Sequence, residues 1–92
     1  MAVAATWDKE LMYERGRAMG QEFHDQGVNI ALSPVTGGPL GRSPLNGRNW
    51  EGFAADAYLT GVASYETIVG MHAGGTITTA KHFLGYEQET FR

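Results

Sequence analysis

Three basic side chains have the types and settings to do chemistry. Arg48 sits in GRNWEGF, residues 47–53, and Lys81 stands beside His82 in TAKHF, residues 79–83. Arginine and lysine offer only hydrogen-bond donors, and both make charge-assisted bonds to a suitable acceptor. GRNWEGF also holds Trp50 and Glu51, a large indole and a carboxylate in a stretch with loop composition. Each residue has a plainer reading. An arginine in a glycine-rich loop can be solvated or paired with a local carboxylate, and a tryptophan can simply pin the loop. Lys81 and His82 can be a solvated strand end. Asp8, Glu10, Glu14 and Glu22 fit a solvated helix face, with Glu10 to Glu14 and Glu14 to Arg17 at helical spacings.

Several other chemistries are excluded. GGPLGR lacks the Gly-Lys-Ser/Thr ending of a phosphate-cradling loop and does not follow the dinucleotide-binding glycine spacing. His24, His72 and His82 lie far apart with no HExxH, and there is no cysteine, so no metal site and no cofactor are expected. A GxSxG nucleophile motif is missing as well. The formal charge is −3 with the basic residues scattered, which argues against a nucleic-acid surface. No apolar run approaches a membrane span, and MAVAATWDKE lacks the pattern of a secretory signal.

The elements that must position the basic residues alternate along the chain. Thr6 to Gln26 reads as a helix capped by Thr6, with Leu11, Met12, Ala18, Met19 and Phe23 recurring at helical steps and Gly27 as its stop. VNIALSPV, residues 28–35, reads as a strand ended near Pro34. Residues 36–52 form a long loop rich in glycine and proline. A second helix starts at Asp56 as cap, runs through Tyr58, Leu59, Val62, Tyr65, Ile68, Val69 and His72, and closes at Gly74-Gly75. TITTA then leads into a second strand ending at Lys81-His82. Such alternation predicts an α/β fold with a parallel sheet and crossover helices. In βα-repeat folds the loops after the carboxyl ends of strands carry ligand chemistry. Parallel strands would therefore bring Arg48, Lys81 and His82 to one face.

Four stretches together carry a family resemblance: TWDKELMYERGRAMGQEF, SPVTGGPLGRSPLNGRNWEGF, DAYLTG and TAKHFLGYEQETFR. In order and spacing the chain resembles fungal β-glucosidases of glycoside hydrolase family 3. VTGGPLGR is one glycine longer than the usual form of that motif, and Ala57 stands where the family commonly has proline.

The resemblance implies a catalytic domain built as a (β/α)8 (TIM-like) barrel or a variant of it. Residues 1–92 would be a fragment of that N-terminal domain, with about two parallel strands and two to three helices. Family members release terminal β-linked glucose with retention, so the implied partner is a β-glucoside or cello-oligosaccharide, and the implied parent is a secreted enzyme. Arg48, Lys81 and His82 match the family residues that bind the sugar hydroxyls. Glu51 would orient a basic neighbour, and Trp50 with Phe53 would hold the loop in place.

Retaining hydrolysis requires two carboxyl groups about 5 Å apart. The family nucleophile is an aspartate in a Ser-Asp-Trp context, which is missing here, and the acid/base is a glutamate of a second domain. A full barrel takes about 250 residues, so the catalytic pair is expected elsewhere in a parent enzyme. The other expectation is a non-catalytic carbohydrate-binding or scaffold module that keeps the Arg and Lys-His donors.

Overall fold

The computed structural model describes residues 2–37, 48–83, 86, 89 and 91. Helix α1 spans Lys9–Asp25, strand β1 Ile30–Ala31, helix α2 Ala57–Ala73 and strand β2 Ile77–Thr78, with single 3-10 turns at Ala4–Thr6 and Asn49–Glu51. Part of the expected long loop, residues 38–47, lies outside the described residues.

Both helices start on an aspartate. The Asp56 carboxylate accepts from the Leu59 amide at 2.7 Å, as its sequence position predicts. The first helix departs from expectation, because Asp8, and not Thr6, is its cap and accepts from the Leu11 amide at 3.1 Å. Thr6 belongs to the preceding 3-10 turn, where its hydroxyl donates to the Val3 carbonyl at 2.6 Å. Gly27 stops α1 with φ +80°, a left-handed value that glycine adopts without the penalty of a Cβ. There the Val28 amide returns to the Phe23 carbonyl at 2.9 Å.

The helices meet along a seam of glycines. A Cβ on Gly16 would stand 2.6 Å from the Thr67 carbonyl oxygen, and one on Gly20 would strike the Met71 backbone. Gly70 and Gly74 present the same bare backbone to α1. Small residues, more than the large apolar ones that mark the periodicity, make the buried face of each helix. The buried stripe of α1 is Met12, Gly16 and Gly20, and that of α2 is Thr60, Ala63, Ser64, Thr67, Gly70 and Met71. Leu11, Tyr58, Tyr65 and Val69, whose spacing marked the helices in the sequence, are exposed. Backbones this close leave no room for large side chains between them, so the bulky residues are turned outward. A small core of Val3, Ala4, Met12, Phe53 and Ala63 gathers beside the seam, with Leu59 packed on it.

The strands pair in parallel, Ile30 with Ile77 and Ala31 with Thr78. They are shorter than the sequence predicts. Pro34 has no N–H to give the ladder, so regular pairing stops and returns only as single bridges at Val35. The buried Thr76 hydroxyl donates to the Gly20 carbonyl at 2.8 Å and ties the entry of β2 to α1. Among the described residues no helix is long and apolar enough to cross a membrane.

Candidate functional site

Val35 organises the site. Its backbone forms parallel bridges with both Gly52 and Lys81, so it lies between the end of the GRNWEGF turn and the end of the second strand segment. The Lys81 amide donates to the Pro34 carbonyl at 3.1 Å, and the Thr36 amide donates to the Lys81 carbonyl at 2.9 Å. These bonds fix where the Lys81 side chain begins. The peptide bonds before Pro34 and His82 are cis.

Arg48 caps the 3-10 turn Asn49–Glu51. One turn of that helix brings side chains three residues apart together. Arg48 Nε donates to Glu51 Oε1 at 2.5 Å, and Arg48 Nη2 donates to Oε2 at 3.0 Å. Lys81 Nζ reaches the same carboxylate, 3.2 Å from Oε2. One half-buried carboxylate thus holds two cations, one from its own turn and one from the neighbouring strand end. The side chains of Glu51 and Lys81 are 16% and 22% exposed, so water screens this pair less than a surface pair. The hydrogen bond from Arg48, followed by that from Lys81, holds the Glu51 carboxyl down at about 2 against the opposing effect of burial. Arg48 is raised in turn, chiefly by its bond to Glu51, with a smaller contribution from the Tyr86 phenol.

His82 follows Lys81 directly and stacks on Tyr86, with ring centroids 4.7 Å apart and planes tilted by 32°. The Tyr86 hydroxyl donates to the Glu89 carboxylate. Tyr86 is the residue that sequence reasoning missed. Its signal was an aromatic residue four positions beyond His82.

Each expected residue therefore has a place. Arg48 and Lys81 come together on Glu51, and His82 is joined to Arg48 through Tyr86. Of the two aromatics expected to hold the loop, Phe53 does so, buried in the core. Trp50 is exposed at the middle of the 3-10 turn. The turn directs Glu51 inward to the two cations, and its neighbour is carried outward. A cavity of about 410 Å³ lies beneath, lined in part by Arg15, Met19, Leu32, Trp50, Glu51 and Lys81. Neither Arg48 nor His82 lines it, so it does not enclose the three donors. Among the described residues no cluster of three or more His, Asp or Glu side chains could hold a metal ion.

Residues 1–90 match the glycosyl hydrolase family 3 N-terminal domain. The chain belongs to this family. It is similar to beta-glucosidase A of Aspergillus kawachii, 61% identical over the whole chain and 11% of that protein. Probable beta-glucosidase G of Emericella nidulans is 60% identical with the same coverage. Among solved structures, a beta-glucosidase from Chaetomella raphigera superposes with a TM-score of 0.88 at 53% identity, over 95% of this chain and 12% of that one. Beta-glucosidase 3B from Thermotoga neapolitana, solved in complex with glucose, gives 0.88 at 38% identity over 98% of this chain and 12% of that one. The parallel strands and flanking helices are part of a TIM-like barrel of the family 3 kind. The chain spans about a tenth of the length of the relatives it matches.

Proposed function

We propose that these residues form part of the glucose-binding subsite of a β-glucosidase. The enzyme would hydrolyse terminal non-reducing β-D-glucosyl residues, in cellobiose and other β-glucosides, with retention. On this reading residues 1–92 are an incomplete part of the N-terminal barrel domain, and other segments of the parent supply the nucleophile and the acid/base. On this reading the parent would be a secreted protein, which the resemblance to fungal enzymes supports. The observation that carries the proposal is the Glu51 carboxylate gripping both Arg48, from its own 3-10 turn, and Lys81, at the end of the second strand segment. Arg48 has three nitrogens, of which only Nε and Nη2 are bound to Glu51, and Lys81 has three N–H donors. The remaining donors can bind the hydroxyl oxygens of one sugar, and His82 adds an imidazole edge. A neutral sugar cannot itself balance two cations, and Glu51 performs that task.

The test is Arg48→Ala and Lys81→Ala in the full-length enzyme, assayed with an aryl β-glucoside. Leaving sugar hydroxyls unpaired should lower kcat/KM by on the order of thirtyfold, as expected for hydrogen bonds from charged donors. Wild-type efficiency in both variants would overturn the reading.

A further inference from the structure

We propose that Tyr86 is a positioning residue of this subsite, its ring setting the plane of the His82 imidazole and its phenol anchored by Glu89. The inference rests on the sugar-binding reading of the site and goes beyond it by naming what aims the third donor. A histidine has two ring nitrogens on a flat ring, and the rotation of that ring decides which hydroxyl each nitrogen meets. The 4.7 Å centroid separation and 32° tilt fall within the range of attractive aromatic pairs. Stacking covers one face of the imidazole and restricts its rotation. The tyrosine ring is itself held, because its hydroxyl donates to Glu89, three residues further on in the sequence. Tyr86 also acts favourably on Arg48, whose opposite partner is Glu51. Lys81, Glu51, Arg48, Tyr86 and His82 thus form a continuous series of contacts in which all three donors have a support.

A positioning role predicts a pattern that loss of stability alone does not produce. In the full-length enzyme Tyr86→Ala should reduce kcat/KM for an aryl β-glucoside by about tenfold, near the upper end of the worth of an aromatic pair. Tyr86→Phe keeps the ring and should recover to within about threefold of wild type, whereas Tyr86→Leu keeps bulk without the ring and should not. A series of monodeoxy glucosides identifies the hydroxyl that His82 meets, as the one whose removal makes His82→Ala silent. With that substrate the Tyr86→Ala loss should also shrink to about threefold or less, since a residue acting through His82 has nothing left to aim. Equal losses across all deoxy substrates, or no loss in Tyr86→Ala and Tyr86→Leu, would overturn the proposal. If Arg48→Ala and His82→Ala were also silent, the sugar-binding reading itself would fall. If they were damaging while the Tyr86 variants were silent, only the role of Tyr86 would.

Discussion

Lys81 reaches Glu51 across the backbone of Val35, Nζ lying 3.2 Å from Oε2. The same carboxylate binds Arg48 side-on through both oxygens. Glu51 therefore has no oxygen free of a cation, and removing its charge disturbs both partners together. Glu51→Gln would keep the side chain's shape but turn an amide N–H₂ toward one of the donors. In the full-length enzyme this substitution should cost on the order of tenfold to a hundredfold in kcat/KM, as for loss of charged hydrogen bonds. An unchanged kcat/KM would mean that Arg48 and Lys81 are placed without it.

The acidity of Glu51 gives the fork a defined pH window. Its carboxyl lies at about 2 in the folded chain, below the ordinary 4.5, because Arg48 and then Lys81 bond to the charged form. A lowered folded-state value means that the ionised carboxylate favours folding. That contribution is complete above about 4.5 and drains away as the pH falls toward 2. The stability gap between the enzyme and its Glu51→Gln variant should accordingly be flat at neutral pH and narrow as the solution is acidified through this window. Urea melts at a series of pH values measure it. A gap that widens on acidification would contradict the assigned pairing.

The glycine seam predicts opposite signs for two chemically identical changes. Gly16→Ala would push a methyl group to within 2.6 Å of the Thr67 carbonyl oxygen, where backbone and not a movable side chain blocks it. Overpacking typically costs about 1–3 kcal/mol, and relief here requires a whole helix to shift, so the upper end applies. At Gly61, in helix α2, an added Cβ meets nothing within 4 Å. Gly61→Ala should stabilise by up to about 1 kcal/mol through helix propensity. Thermal melts of the two variants decide it, and a destabilised Gly61→Ala or a neutral Gly16→Ala would show that the helices do not cross as described.

The sequence made some of this legible and hid the rest for physical reasons. Asp56 reads as a cap because no rival donor or acceptor precedes it at the right spacing. Thr6 and Asp8 are both capping types two residues apart, and the choice fell to a local detail, the Thr6 hydroxyl already being bonded to Val3 in the preceding turn. Parallel pairing follows from the alternation of helix and strand, and Pro34 shortened the ladder in a way its missing N–H allowed one to expect. The helix contact was hidden because periodicity weighs large apolar residues, whereas this seam is made by Gly16, Gly20, Gly70 and Gly74 at four-residue steps. Arg48 and Lys81 stood out by type, and Lys81 also by its place at the end of the second strand segment. That Glu51 is their common partner depends on the Val35 bridges, a pairing distant in sequence.

Expressed alone, the 92-residue chain should behave as a helix pair with poorly held strands. Ile30, Leu32, Ile77 and Phe83 are 57%, 69%, 59% and 85% exposed, so the sheet has apolar side chains on open faces. Its regular ladder is two residue pairs long, and a two-stranded sheet is marginal in water without a covered apolar face. The helices, by contrast, share a buried seam that lies within these residues. Small domains bury a smaller share of their surface, and even whole domains keep only about 5–15 kcal/mol of net stability. Hydrogen exchange of the isolated chain should therefore show protection concentrated at the α1–α2 contact, around Gly20 and Met71. The Ile77 and Thr79 amides, which donate to the Asn29 and Ala31 carbonyls, should exchange quickly. The same sample should release no aglycone from an aryl β-glucoside, because the two carboxyl groups that retention requires are proposed to come from other segments. Slow, cooperative protection of both strands in a monomeric sample would instead show an autonomous domain and favour a binding module over a piece of an enzyme.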